Sequence, residues 1–295
     1  MAFEKKSLLL HIIAGEIKMK QTYIKRKNIF TLFKEVIIHG TLEELKNLIS
    51  LFDVNIKGKN SESPLMIAIR YGKIQMLDLL CQNMDMPTVF SNKEYSPLLF
   101  AVMHQDLEIV QKLIDYGADI HTENLKKEGV LHYAVFNCDT QMIKLLIKNG
   151  ADVNKQCDKG FTPLHYAVAQ GTSEVVQLLL ENKADANLEN KWHETPLHYA
   201  SEMGNIEKMK SLIEFGANVN AYGSHERTCL DRTVANGDLK ATCVLIDAGA
   251  SIFCENQQGQ TLFDYVYENK DSSMLDVLVH AKNQEGYPSV QKQFA

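Results

Sequence analysis

The sequence predicts an all-α protein built from stacked, equivalent helix pairs, and three observations lead to this prediction. Thr-Pro pairs stand at helix starts, and glycines follow the apolar stripes that come after them. Apolar anchor residues recur 32 residues apart once and 33 residues apart six times, at Phe33, Leu65, Leu98, Leu131, Leu164, Leu197, Leu230 and Phe263. A constant interval of this length is typical of a repeat array, in which each unit buries its apolar face against its neighbours.

The first helix of each unit has a recognisable start and end. Thr162-Pro163 and Thr195-Pro196 predict helix starts, because threonine is a good N-cap and proline is tolerated at the first helical position. Leu164 and Val168 then lie on one apolar stripe. Gly171 is predicted to end this helix at a position suited to a left-handed backbone.

A second helix and a break complete the unit. Val175–Leu180 is rich in valine and leucine and predicts a helix with a broad buried face. The segments GADVN (Gly150–Asn154) and GANVN (Gly216–Asn220) then interrupt the helical pattern and lead into a turn. Each unit is therefore predicted to be two helices followed by a connecting loop.

These motifs resemble the ankyrin repeat. TPLHYA occurs at Thr162–Ala167 and at Thr195–Ala200, followed at the right distance by GADVN-type segments. The 33-residue period and the T-P-L-H-x-A pattern are the family's own features. The resemblance implies two antiparallel helices with a projecting β-hairpin finger in each unit, stacked into a solenoid with a concave binding surface.

The predicted domain organisation follows from where the repeat begins and ends. Residues 1–27 form an N-terminal basic segment and cap, residues 28–280 the ankyrin repeat domain of about eight repeats, and residues 281–295 a flexible C-terminal tail. The first and last repeats depart from the TPLH pattern, which fits capping units. Pro87 replaces the expected glycine-rich break and predicts an irregular finger there.

Histidines within the repeat are predicted to be structural. His132, His165 and His198 occupy the same position in three successive units, about one helix-pair width apart, which is too far for one metal ion. We expect each to hydrogen-bond in the loops between units. His193 replaces a finger glycine and is expected in an exposed turn. No metal, cofactor, catalytic motif or small-molecule substrate is predicted.

The predicted partner-binding residues lie at finger and inner-helix positions, which ankyrin proteins generally use for binding. Trp192 is the only tryptophan, and the period places it at an exposed finger tip. Aromatic residues anchor interfaces more often than most residues do, and lysines resemble a polar rim. The predicted set is Tyr95, Lys126, Phe136, Lys159, Phe161, Lys191, Trp192, Met203, His225 and Arg227.

Composition bounds the location and the class of partner. The formal charge of −6 argues against nucleic acid, and no apolar run approaches the length that spans a membrane. Six cysteines without a C-x-x-C pair favour a reducing, cytoplasmic compartment. The basic cluster Lys18–Lys27 leaves nuclear import open as an alternative.

The sequence therefore predicts a non-enzymatic module, such as a scaffold or adaptor, that binds another protein. An alternative in a different class is an effector of an intracellular bacterium or parasite, delivered to a host cell to modulate a host protein. An enzyme would need an activity carried on Met84–Phe90 or on the tails, and no motif supports one.

Overall fold

The computed structural model describes residues 26–58, 62–84, 95–254 and 259–284. The predictions made for the basic segment up to residue 25, for Pro87 and its loop, and for the tail from residue 285 lie outside these residues. The chain divides into two compact units, Met1–Asp152 and Val153–Ala295, which are described one at a time.

The first unit contains four consecutive helix pairs among its described residues. Within each pair the two helices pack on each other, and inside this unit the first helices of successive pairs also pack on each other. The helices are α1 Arg26–His39, α2 Leu42–Leu51, α3 Pro64–Arg70, α4 Ile74–Gln82, α5 Pro97–Met103, α6 Leu107–Asp115, α7 Val130–Phe136 and α8 Thr140–Lys148.

Among its described residues, the second unit repeats this arrangement with four more pairs, and one short 3₁₀ turn, Ser224–Glu226, lies between two of them. The helices are α9 Pro163–Gln170, α10 Ser173–Glu181, α11 Pro196–Glu202, α12 Ile206–Glu214, α13 Cys229–Ala235, α14 Leu239–Asp247, α15 Leu262–Glu268 and α16 Ser272–Gln284. In the part of the chain that the structure describes, β-structure is limited to isolated bridges, Glu123 with Gly129 and Tyr222 with Thr228, which close two of the fingers. The all-α prediction is confirmed.

The helix ends follow the predicted capping chemistry, with one correction. Thr162 caps α9 by accepting a hydrogen bond from the His165 amide, and proline fills the first helical position. Gly150 and Gly216 adopt the left-handed conformation, with φ of 90° and 84°. Gly171, however, ends α9 with φ of −80°, so the predicted left-handed conformation is wrong. A Cβ at Gly171 would lie 2.8 Å from the Ala167 carbonyl oxygen, and lack of space is the reason for glycine there.

The recurring anchors form the core between the stacked helices. The seven anchors from Phe33 to Leu230 are buried, while Phe263 in the last pair is only partly buried. In that pair Tyr267 is 73% exposed, although Val168 and Ser201, at the same repeat position, are fully buried. A following pair would cover this position, and the last described pair has none. The Lys282 ammonium partly covers the end by lying 5.4 Å from the centre of the Phe263 ring.

None of the helices that the structure describes combines the length and the apolar composition that a bilayer-spanning helix needs.

Candidate binding surface

An aromatic cluster lies where two fingers of the second unit meet the helices behind them. We define it as Phe161, Tyr166, Trp192 and Tyr199. The Phe161 ring is at the centre, with its centroid 5.8 Å from that of Trp192, 5.7 Å from Tyr199 and 6.2 Å from Tyr166. Trp192 remains 47% exposed. The indole therefore has one part supported by Phe161 and another part open to solvent.

The buried Asn190 side chain shapes the finger that carries Trp192. Its Oδ1 accepts hydrogen bonds from the Trp192 amide at 2.8 Å and from the Glu194 amide at 3.1 Å. Its Nδ2 donates to the Tyr199 hydroxyl at 3.1 Å. Asparagine suits this role because its side chain can mimic a backbone turn. The Asn190 side chain thereby holds the Trp192 backbone in place.

Adjacent fingers are also joined to each other. The Lys191 amide donates to the Lys159 carbonyl at 3.0 Å, and Gln156 Nε2 donates to the carbonyls of Gly160 and Glu189. Gly160 has φ of 79°, and a Cβ there would lie 2.9 Å from the Asn190 Cα. Glycine is thus required both for the turn and for the close contact. The two tips form one stacked surface.

The repeat histidines bridge each helix start to the following finger. His165 Nδ1 accepts from the Thr162 amide at 3.2 Å, and its Nε2 lies 3.0 Å from the Glu194 carbonyl. His198 makes the same pair of contacts, with the Thr195 amide and the Ala221 carbonyl, both at 3.1 Å. Because Nδ1 accepts, Nε2 carries the proton and donates to the carbonyl. The predicted structural role is confirmed for these two residues.

His198 is held neutral by its surroundings. Burial lowers its pKa, and the positive charge of Arg232 lowers it further, to about 4. His193 contrasts with it, since it has φ of 61° in the exposed turn and its ring lies 2.9 Å from the Glu189 carboxylate. The prediction that His193 occupies an exposed turn is confirmed.

An ion pair that sequence reasoning missed lies behind the Trp192 finger. The Glu194 carboxylate accepts hydrogen bonds at 2.7 Å from both Arg232 Nη2 and Ser224 Oγ, and the Glu194 and Arg232 side chains are each 12% exposed. Burial by itself raises the pKa of Glu194. Hydrogen bonds from Arg232, Ser224 and Tyr199, together with the Arg232 charge, outweigh burial and lower the pKa to about 2.

A departure from the repeat pattern marks this ion pair in the sequence. Glu194 stands one period after Phe161, and Arg232 stands one period after Tyr199. Aromatic residues of two successive repeats, Phe161 and Tyr199, are thus each replaced one repeat later by a charged residue, and the two charges have opposite signs. The signal becomes visible only when both substitutions are considered together.

The family comparison agrees with this geometry. The family model described as ankyrin repeats matches the chain in three copies, at residues 33–124, 117–190 and 170–256. Together these matches cover more than half of the 295 residues. The chain belongs to the ankyrin repeat family. No curated protein matches it. Ankyrin repeats are generally protein–protein interaction modules and are typically non-enzymatic.

The other predicted binding residues of this ankyrin protein are placed as follows. In the second unit, Lys159, Lys191, His225 and Arg227 are exposed on the fingers, and Met203, just after α11, is 53% exposed. His225 lies in the 3₁₀ turn with φ of 59°.

In the first unit, Lys126 is exposed in a finger, and Phe136, the last residue of α7, is 59% exposed. Tyr95 is half-buried, with its ring 6.3 Å from that of Tyr133. Of all the predicted binding residues, those that the structure brings together are Lys159, Phe161, Lys191 and Trp192 of the second unit.

Within the described ranges, no group of three or more histidine, cysteine or acidic side chains is arranged to hold a metal ion. Cys157 and Cys229 are buried, and burial raises the pKa of the Cys229 thiol to about 12.

A second feature absent from the repeat pattern is the buried Lys208 on α12. Its ammonium donates to the carbonyls of Val168 at 2.7 Å, Gly171 at 2.8 Å and Ala167 at 3.3 Å, which lie at the end of α9. A cation there also interacts favourably with the helix dipole. Val175 and Met142 hold the same position in the two preceding pairs.

We expect Lys208→Met to destabilise the second unit by about 1–2 kcal/mol, because buried carbonyls lose a charged donor. Urea unfolding of the full chain measures the change. Lys210→Met, an exposed lysine on the same helix, is the control and should change the free energy of unfolding by less than about 0.5 kcal/mol. Equal effects of the two substitutions would contradict the proposed capping role.

Proposed function

We propose that the protein is a non-enzymatic module that binds a protein partner through the concave face and finger tips of its repeats, with Trp192 as the central anchor. The observation that carries the proposal is the 47% exposure of the only tryptophan on a finger that is held by internal hydrogen bonds. Tryptophan is among the residues most enriched at the centres of interfaces.

The local structure favours binding with little rearrangement. Asn190 fixes the turn, the Lys159 carbonyl fixes the neighbouring tip, and Phe161 supports the indole from behind. A surface ordered before binding loses little conformational entropy when a partner arrives. Lys159, Lys191, His225 and Arg227 provide the polar rim of the proposed surface, and Met203 extends it along the inner helices.

The proposed binding set also includes three residues of the first unit, because they lie at finger and inner-helix positions of the repeat: Tyr95, Lys126 and Phe136. Of the two aromatic side chains among them, Phe136 is 59% exposed and Tyr95 is half-buried. We propose that they form a binding surface of the first unit.

Replacement of Trp192 by alanine tests the proposal. The full chain and the variant are immobilised, exposed to the same cell extract, and the retained proteins are quantified by mass spectrometry. A protein retained by the wild type is then titrated against both forms. We expect Trp192→Ala to weaken its affinity by about 2 kcal/mol or more, which is roughly 30-fold, with a nearly unchanged melting curve.

Tyr267→Ala is the matched control, because it removes a 73% exposed aromatic ring from a helix outside the fingers. It should leave the affinity unchanged. Retention of the same proteins at the same affinity by Trp192→Ala would refute the proposal. Trp192 is chosen over Phe161 because Phe161 contacts three other rings of the aromatic cluster, and its removal would disturb the fold as well.

The proposed compartment is the cytoplasm, in keeping with free cysteines in the described residues. No structural observation favours the effector alternative, and it forms no part of the proposal.

A further inference from the structure

The two acids closest to Trp192 in the sequence are engaged by other residues, whereas, among the described residues, the cations of the neighbouring tips are not. The Glu189 carboxylate lies 2.9 Å from the His193 ring, and Glu194 is bound by Arg232 and Ser224. Both acids nearest to Trp192 in the sequence therefore have partners inside the protein.

The cations of the same tips have no such partners. Lys159, Lys191 and Arg227 are exposed and form no ion pair with any residue that the structure describes. The backbone hydrogen bond between Lys191 and Lys159 places the first two on adjacent fingers. An exposed indole is thus accompanied by two solvent-exposed lysines without an ion-pair partner among the described residues, in a chain whose net charge is −6.

We infer that this surface binds an acidic segment of a partner protein, in which a large apolar side chain lies beside one or more carboxylates. The apolar side chain packs on Trp192, and the carboxylates pair with Lys159 and Lys191. This inference rests on the proposed function and specifies the chemistry of the partner. Complementary charges at the rim of an interface raise the association rate and select among partners.

A peptide fits this surface better than a nucleic acid does. The neighbouring tips carry the exposed acids Asp158 and Glu226 among the cations. A phosphate backbone would meet these acids as well as the lysines, and nucleic-acid binding rests on an extended basic footprint. A short segment with few acids can instead place its carboxylates beside Lys159 and Lys191 alone.

A random-peptide display library, selected on the full chain, tests the inference. We expect enriched peptides to carry Asp or Glu next to Phe, Leu or Trp. The best peptide, made synthetically, should bind at least about tenfold more weakly to Lys159→Glu/Lys191→Glu and to Trp192→Ala than to the wild type. Its affinity for the wild type should also fall as salt is added.

Lys210→Glu/Lys240→Glu is the matched control, because it changes the net charge equally through exposed lysines on the second helices α12 and α14. It should bind within about twofold of the wild type. Peptides that need Trp192 but lack acids, or that bind the Lys159/Lys191 variant as well as the control, would overturn the acidic class and leave the proposed function standing.

Two other outcomes have distinct meanings. A library that yields no peptide dependent on Trp192 would overturn both the inference and the proposed function. Tighter, Trp192-dependent binding of a single-stranded DNA of about 20 nucleotides than of any selected peptide would overturn the inference in favour of a nucleic-acid partner.

Discussion

Arg232→Met is expected to destabilise the second unit by about 3–5 kcal/mol, because it leaves the Glu194 carboxylate buried without its cation. Arg232 supplies the hydrogen bond to Glu194 at 2.7 Å, and both side chains are only 12% exposed. Methionine retains much of the aliphatic packing, so the loss reports mainly on the ion pair. Urea unfolding of the full chain at neutral pH measures it.

A double-mutant cycle separates the pair from its surroundings. Glu194→Gln removes the buried negative charge, so adding Arg232→Met to it should cost clearly less than Arg232→Met alone. Arg227→Met, at an exposed arginine five residues away in the same unit, should change the free energy of unfolding by less than about 0.5 kcal/mol. Additive effects of the two substitutions at Glu194 and Arg232 would show that the ion pair does not couple them.

This ion pair also shows what the repeat pattern can and cannot predict. Helix starts were predictable because a threonine cap and a following proline act within a few residues, as Thr162 and Pro163 do. The burial of the anchors was predictable because each occupies the same place in an equivalent unit. Glu194 and Arg232 are 38 residues apart, and each looks like an ordinary surface charge on its own.

The conformation of Gly171 was mispredicted for a related reason. Gly204, one period later, has φ of 62°, as the repeat pattern leads one to expect. Helix α9 runs through Gln170, one residue longer than α11, so Gly171 is an extended residue instead. The TPLHYA motif is the same in both repeats, so it does not specify the extra residue of α9. A tertiary contact does distinguish this helix end, because the Lys208 ammonium donates to the Gly171 carbonyl.

The position of the Trp192 finger was predictable, but its internal contacts were not. The repeat phase places Trp192 on a finger tip, and the structure agrees. The sequence did not indicate that Phe161 lies behind the indole, or that Glu189 and Glu194 are engaged while Lys159 and Lys191 are not. These contacts depend on which side chains of neighbouring repeats meet, and the sequence of a single repeat does not contain that information.

Acidification is expected to destabilise the second unit in two successive steps. The pKa of buried His198 is lowered from 6.5 to about 4, so between these values the unfolded chain binds a proton that the folded chain does not. The stability that depends on neutral His198 is complete above pH 6.5 and is lost as pH falls to about 4. One pKa unit corresponds to about 1.4 kcal/mol, so the loss from His198 amounts to roughly 3 kcal/mol.

Glu194 extends the loss to lower pH. Its pKa is lowered from 4.5 to about 2, so the stability that it contributes is complete above pH 4.5 and falls as pH drops toward 2. Arg232 contributes to both steps, because its positive charge lowers the pKa of His198 and the pKa of Glu194. The pH ranges of the two losses adjoin, so stability should decline continuously below pH 6.5.

Urea unfolding of the full chain at pH 7, 6, 5 and 4, compared with His198→Gln, isolates the histidine step. Other titrating groups affect both proteins alike, so the difference between their slopes reports the proton taken up by His198 on unfolding. We expect the variant to lose less stability than the wild type between pH 6.5 and 4, whatever its stability at pH 7. Parallel slopes would mean that the imidazole is protonated in the fold, and His198 Nδ1 could then not accept the hydrogen bond from the Thr195 amide.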